Sequence, residues 1–284
     1  MTGAPVADGP VAYAGEPGAF AEDAVLAAFG DVERVGVPGF REVFETVAAA
    51  GARAGVVPIE NLVNGTVRET YDLLLDHDLA IVDEVVVPVR LCLAALPGEG
   101  LESIERVYSH IQALGQAEGF LRSRPWTTLT TYNTAGAGRL IVERGERGAA
   151  AVLSPRAASA FGLEVLASDI QSVPDNRTRF LVLATPGGAG ALASRAGPRR
   201  TTLVFAVRNE PGTLLAALRE FAERGVNLSK LESRPSRNRA WEYVFWADLD
   251  ADAAESSCAA AIDGLRAVST MVRVLGSYPR FAEG

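Results

Sequence analysis

Lysine is almost missing from this sequence. Of its 27 basic residues only Lys230 is a lysine, which leaves 26 arginines. Schiff-base lysine chemistry is therefore excluded over nearly the whole chain. The bias accompanies an excess of Ala and Gly and reads as gene base composition. Cysteine is scarce too: Cys92 and Cys258 lie far apart, so no disulfide framework is implied. The two histidines, His77 and His110, are too few for a histidine-rich metal site. No apolar run approaches the roughly 18 residues of a membrane span. The N-terminus has neither a basic start nor an apolar core, so no signal peptide is expected. With a net charge of −8 the chain lacks the basic face that nucleic acid or an anionic membrane requires. A diffuse negative field does not exclude an anionic small molecule, because a few local donors override it. These absences describe a soluble, reducing, cytoplasmic protein.

What is present is a long α/β pattern and a shorter, different one. At 284 residues the chain has room for about two domains. Residues 1–9 read as a loose tail. From Val11 to Thr185 short apolar runs alternate with helical spacing. Strands are expected at Val11–Tyr13, Ala54–Ile59, Ala80–Val89, Val107–Ser109, Thr127–Thr131, Ala150–Leu153 and Arg179–Ala184. Helices are expected at about Ala19–Phe29, Phe40–Ala50 and Val67–Asp76, and between the later strands. Alternation of this kind implies α/β lobes with largely parallel sheets. Thr66-Val67-Arg68-Glu69 and Ser109-His110-Ile111-Gln112 both fit a capping box. Ser154 before Pro155 fits an N-cap with proline in the first turn, and Thr134 can cap a helix from Ala135.

Pro186–Arg200 is rich in Gly, Pro, Ala and Ser and reads as a linker. Gly188-x-Gly190-x-x-Ala193 within it mimics half a dinucleotide fingerprint. Gly197-Pro198 breaks any helix there, and no acidic residue stands where a ribose contact belongs, so that reading is rejected. After the linker, strands are expected at Thr202–Arg208, Asn227–Arg234, Ala240–Leu249 and Met271–Gly276. Helices are expected at Gly212–Arg224 and Ala251–Ala267. The order βαββαβ is ferredoxin-like.

Eight segments then stand in a meaningful order. They are AYAGEPGAFAEDA (12–24), GVVPIENLVNGTV (55–67), VYSHIQALGQ (107–116), NTAGAG (133–138), NRTRFLVL (176–183), EPGTLLAAL (210–218), NLSKLESRP (227–235) and WEYVFWADL (241–249). Together they resemble the monofunctional bacterial prephenate dehydratases with a C-terminal ACT domain, from about Val11 to Phe281. The resemblance implies a two-lobed, periplasmic-binding-protein-like catalytic domain over 10–185, a linker over 186–200 and a ferredoxin-like ACT domain over 201–281. Ala80–Val89 and Arg179–Ala184 are the natural hinge strands.

The implied reaction removes carbon dioxide and hydroxide from prephenate to leave phenylpyruvate. Aromatisation drives it, so no metal or organic cofactor is called for. The enzyme must donate a proton or hydrogen bond to the departing hydroxyl and must orient a dianion. By resemblance Thr178, in Thr178-Arg179-Phe180, is the essential catalytic residue. Arg179 is either a carboxylate clamp or a structural ion pair, and strand alternation favours the second by sending it away from Thr178. Phe180 reads as core or site, Asn176 as a turn residue or a donor to substrate. Asn61 follows a strand and precedes a helix, where its amide can bind a carboxylate or keto oxygen. Glu60 reads as structural. Ser109 and Thr134 are caps whose helix N-termini also suit an anion. His110 is a candidate acid; His77, between Asp76 and Asp78, reads as solvated.

Three positions depart from the family pattern. Leu62 replaces a usual Ser, Ile111 a usual Pro, and Thr213-Leu214 a usual Ala-Leu. In the ACT segment Gly212, Thr213, Leu214, Asn227, Leu228, Glu232 and Ser233 match positions that bind phenylalanine across a dimer interface. A homodimer or homotetramer is implied. Arogenate dehydratase, a prephenate decarboxylase without aromatisation and a non-catalytic amino-acid sensor are the alternatives.

Overall fold

The computed structural model describes residues 9–192, 196–235 and 243–281. The tail 1–8, Ala193 with its two successors in the expected linker, and residues 240–242 of the expected Ala240–Leu249 strand lie outside the described residues.

The chain begins with β1 (Val11–Ala14), α1 (Phe20–Phe29), β2 (Arg34–Val37), α2 (Phe40–Ala48), β3 (Ala54–Asn61), β4 (Gly65–Thr66), α3 (Arg68–Asp76) and β5 (Ala80–Pro88). A second group follows: β6 (Cys92–Ala95), β7 (Arg106–Ser109), α4 (Ile111–Gln116), α5 (Glu118–Leu121), β8 (Thr127–Thr130), α6 (Thr134–Arg144), β9 (Ala149–Leu153), α7 (Pro155–Ala160) and β10 (Glu164–Ala167). Then come β11 (Arg177–Ala184), α8 (Ala189–Leu192), β12 (Arg199–Ala206), α9 (Thr213–Ala222), β13 (Leu228–Pro235), β14 (Tyr243–Leu249), α10 (Ser256–Val268) and β15 (Met271–Pro279).

The first lobe is built on a sheet of order β2-β1-β3-β11-β5, with β4 on β3. The second has order β10-β6-β9-β7-β8. Pairing is parallel for β1 with β2 and β3, and for β7 with β8 and β9. It is antiparallel for β6 with both β9 and β10, and for β3 with the short β4, so both sheets are mixed. β9 reads AAAVL and is buried at every position, as suits a central strand covered on both faces. α2 buries Val43, Phe44 and Val47 on one face, the spacing of an amphipathic helix.

The chain crosses between these lobes twice, after β5 and before β11. The two crossings bond to each other: Val89 N–H donates to Asn176 O at 2.8 Å, and Ile170 N–H to Leu91 O at 3.0 Å. Both lobes belong to one compact unit, made of residues up to His77 together with Val85–Val182. The other unit comprises Asp78–Glu84 and the chain from Leu183 onward.

This other unit contains a four-stranded antiparallel sheet of order β13-β14-β12-β15, with α9 and α10 supplying Ala217, Phe221, Ile262 and Leu265 to its core. The βαββαβ order is as read from the sequence. Within 186–200, Ala189–Leu192 form a short helix, and Arg199 and Arg200 already belong to β12.

Candidate active site

A cavity of about 610 Å³ opens between the two lobes of the first unit. Its volume falls in the range of about 300–1,000 Å³ usual for small-molecule sites. Thr178 and Phe180 reach its wall from β11, two residues apart and so on one face of the strand. Arg177 and Arg179 alternate to the other face, and neither lines the cavity.

Thr178 is held by Asn61. The Asn61 Nδ2 donates to Thr178 Oγ1 at 2.9 Å, to Asn176 Oδ1 at 2.9 Å and to the Arg177 carbonyl at 3.1 Å. Its Oδ1 accepts from the backbone N–H groups of Val63 and Asn64 at 3.0 and 2.9 Å. β3 ends at this residue, and the side chain folds the following turn around itself. Both ends of the amide are thus engaged by the protein. The expectation that Asn61 binds a carboxylate or keto oxygen gives way to a different geometry: it lines the cavity, but its polar atoms fix Thr178. Because Asn61 can only donate from Nδ2, it occupies a lone pair of Thr178 Oγ1. Among the described residues the hydroxyl hydrogen meets no acceptor, and it is left for the cavity.

Other expectations are sorted by the same geometry. Asn176 is fully buried behind Asn61 and does not reach the cavity. Arg179 faces Glu60 at 4.0 Å, the structural ion pair rather than the clamp. Phe180 is both core and cavity wall. Ser109 is fully buried and donates through Oγ to Val152 O at 2.6 Å, holding β7 to β9, so it neither caps α4 nor meets the cavity. The cap is His110, whose Nδ1 accepts the Gln112 N–H at 3.3 Å. Thr134 lines the cavity as the first residue of α6, but Asn133 is its cap, accepting from Gly136 N–H. Val67 rather than Thr66 stands at the α3 N-cap, with no side-chain cap bond. Ser154 caps α7 as expected. His77 is half-buried, with its ring 5.4 Å from that of Phe44.

His110 lines the cavity, and burial holds its pKa below the usual imidazole value. Its Nδ1 acceptor role puts the proton of the neutral ring on Nε2. A His with a lowered folded pKa contributes stability that is complete above the ordinary value of about 6.5 and is lost as pH falls. Asparagine caps without titrating. Melting curves of His110→Asn should therefore lose less on going from about pH 7.5 to about pH 5.5 than those of the wild type.

The sequence reading gave no role to the turn before α1, yet Gly15 and Gly18–Ala21 form one wall. Gly18 has φ +82°, and a Cβ there would stand 2.3 Å from Ala157 Cα, so only glycine fits. Glu22, in the first turn of α1, reaches back to the Gly18 N–H at 2.6 Å and also takes Arg34 Nε at 2.6 Å. The signal was in AYAGEPGAFAEDA: two glycines around Pro17 ahead of an acidic first turn.

Among the described residues two charged side chains line the cavity, Arg68 and Glu69. The walls instead collect helix starts. Residues 19–21 of α1, 39–40 of α2, 67–69 of α3 and 133–135 of α6 all border it. Each brings first-turn N–H groups without intrahelical partners and the positive end of a helix dipole.

In the second unit Gly212 stands at the N-cap of α9 with φ +85°, a left-handed conformation that glycine adopts freely. Thr213 Oγ1 donates to the Arg208 and Glu210 carbonyls at 2.6 and 2.9 Å. Leu214 and Leu228 pack on the same core. Asn227 donates to Asp250 at 2.9 Å, and Glu232 lies 3.8 Å from Lys230. Ser233 and Glu232 are on β13, the edge of its sheet, where alternate residues are exposed.

Fold and site define a two-lobed α/β domain with a small-molecule-sized cavity between its lobes, followed by a βαββαβ domain. The family model for prephenate dehydratase matches residues 11–187, and that for the ACT domain matches residues 201–255. The chain belongs to the prephenate dehydratase family and carries a C-terminal ACT domain. It is 40% identical over 281 residues to arogenate dehydratase/prephenate dehydratase 2, chloroplastic, of Arabidopsis thaliana, covering 95% of this chain and 72% of that one. A prephenate dehydratase from Arthrobacter aurescens in complex with L-Phe is similar in structure, with a TM-score of 0.86, 36% identity, and coverage of 95% and 90%. A protein described as GqqA, a novel type of quorum quenching acylase, has the same TM-score at 30% identity, with coverage of 95% and 97%.

Proposed function

We propose that this protein is a prephenate dehydratase controlled by phenylalanine. In the reaction the bond from the ring to its carboxylate breaks, and its electron pair enters the ring. The carbon–oxygen bond across the ring breaks in turn, so that carbon dioxide and hydroxide leave and phenylpyruvate remains. Thr178 donates a hydrogen bond to the departing oxygen, which leaves as hydroxide, and keeps its own proton. Asn61 keeps that hydrogen aimed by donating to Oγ1 from the other side. The helix starts around the cavity bind the carboxylates, with Thr134 and His110 as further donors and Phe180 as an apolar wall. Aromatisation supplies the driving force, so the reaction calls for no cofactor.

The observation that carries this reading is the Asn61–Thr178 hydrogen bond at the cavity wall. It also speaks against acyl transfer, which needs a base beside the nucleophile to take its proton. Here the neighbour is a donor. Prephenate is favoured over arogenate because the cavity is dressed for a dianion, and an ammonium group would face those same helix starts. Purified protein given prephenate should form phenylpyruvate, and given arogenate should form phenylalanine with lower kcat/KM. The reverse order would overturn the choice of substrate.

The catalytic role belongs to 10–185 and the effector role to 201–281. Gly212, Thr213, Leu214, Asn227, Leu228, Glu232 and Ser233 form the phenylalanine site, with Glu232 for the ammonium and backbone groups near Gly212 for the carboxylate. β13 is an unpaired edge within one chain, which supports pairing in a homodimer or homotetramer. Light scattering should give an oligomer mass, and phenylalanine should change the rate with prephenate. A monomer indifferent to phenylalanine would refute both. No helix among the described residues is long and apolar enough to cross a membrane, which is consistent with a cytoplasmic enzyme.

A further inference from the structure

Besides the two crossings, the lobes are tied together by side chains from the turn between β1 and α1 and from the start of α1. Glu16 Oε1 accepts from Tyr132 O–H at 2.9 Å and pairs with Arg139 Nη2 at 3.1 Å. Tyr132 precedes α6 and Arg139 lies within it, so both are second-lobe residues, whereas Glu16 belongs to the first. Two residues on, the Gly18 carbonyl accepts from Ser154 Oγ at 2.6 Å, at the cap of α7. Asp23 of α1 bonds Arg156 of α7. Gly15, Gly18, Tyr132 and Ser154 all line the cavity, so these ties set how far apart its walls stand. The Ser154 tie is buried and made to the backbone. The Glu16 tie is half open to water, and Arg139 has a second carboxylate, Glu143, at 3.2 Å on its own helix. The Asp23–Arg156 tie is as open to water, but Arg139 has an alternative on its own helix, so it can let go of Glu16 and keep an ion pair.

We propose that Glu16 is a positioning residue for the dehydratase reaction, acting through Tyr132 and Arg139 to hold the lobes at the spacing this structure shows. This rests on the prephenate dehydratase reading. A protein whose competent state is only partly populated binds more weakly by that fraction, with chemistry in that state unchanged. Loss of the tie therefore appears in KM rather than kcat.

Glu16→Ala should raise KM for prephenate about three- to tenfold, the range set by one half-exposed ion pair and one hydrogen bond, with kcat within about twofold. Glu16→Gln keeps an acceptor for Tyr132 and should fall between. Glu16→Ala/Arg139→Ala should be no worse than Glu16→Ala alone, because the partners act as a unit. Added salt should raise KM in the wild type more than in Glu16→Ala. Amide hydrogen exchange without ligand gives a readout independent of turnover. Residues 15–21 and 132–136 should exchange faster in Glu16→Ala, while the unfolding midpoint barely moves. Unchanged KM and unchanged exchange would sink the proposal. So would a fall in kcat alone, or a loss of activity matched by a loss of fold. If the wild type fails to turn over prephenate while Glu16→Ala still loosens those amides, the lobe tie stands and the substrate reading falls.

Discussion

Thr178→Ala is expected to reduce kcat on prephenate by about 10²–10³-fold, the usual cost of removing one preorganised donor from a site of charge development. The fold should survive, because the lost methyl and hydroxyl stand at a cavity wall and not within a packed layer. Thr178→Ser keeps the oxygen and should keep most of the rate. The sharper variant is Asn61→Asp, which changes almost no volume. In the wild type the amide donates to Thr178 Oγ1 at 2.9 Å, so the hydroxyl must direct its own hydrogen elsewhere. An aspartate at that position has only acceptors to offer. It would take the Thr178 hydrogen and turn the hydroxyl away from the substrate. The same carboxylate would add negative charge beside a dianion. Asn61→Asp should therefore be as damaging as Thr178→Ala although the catalytic hydroxyl is still present. Asn61→Ala, which leaves the hydroxyl free to rotate, should retain more activity than Asn61→Asp. The three rates, measured as phenylpyruvate release, separate an aimed donor from a merely nearby one. Equal rates in Thr178→Ala and wild type would mean that another group serves the leaving oxygen.

The parts of this structure that were legible in the sequence are those where one local signal decides. β3, β9 and β11 are buried apolar runs and were read within a few residues. β2 and β10 were missed because they are sheet edges: RVGV and EVLA face water and show no buried run. β6 was missed for another reason. Cys92–Ala95 is only four residues long, fully buried, and indistinguishable by period from a piece of helix. The capping errors have one cause. A serine beside a helix start is a cap only if nothing better is offered to its hydroxyl, and Ser109 is offered the Val152 carbonyl by the neighbouring strand. Alternation along β11 correctly separated Thr178 from Arg179. It gave no hint that Asn61, 117 positions away, would hold the threonine. Long-range side-chain partnership has no local sequence period, and the lobe ties of Glu16 were invisible for the same reason.

The second large effect is expected in the fold, at Glu84 and Arg200. Glu84 lies in β5 and is 1% exposed; Arg200 lies in β12 and is 8% exposed. Arg200 Nη1 meets both carboxylate oxygens, at 2.8 and 2.7 Å, and Glu84 Oε1 also accepts the Phe281 N–H at 2.9 Å. A second carboxylate, Asp250, stands 3.9 Å from Arg200 Nη2. All these residues belong to the second unit, so the Asp78–Glu84 segment is built into it by a buried ion pair. Removing one partner from such a pair costs about 3–5 kcal/mol, because the other is left charged without compensation in a place water does not reach. The two sides are not equivalent. Arg200→Met removes the cation that meets both oxygens of the buried Glu84, while Asp250 keeps Arg280 at 3.4 Å. Glu84→Gln leaves Arg200 with Asp250 and still offers an acceptor to Phe281. Arg200→Met should therefore destabilise more than Glu84→Gln, by equilibrium denaturation of the full chain. The double variant Glu84→Leu/Arg200→Met removes both desolvation costs and fills the space with apolar side chains, so it should recover most of the loss. A double variant as unstable as the sum of its singles would mean that the geometry of the pair, and not the burial of its charges, holds the Asp78–Glu84 segment in this unit.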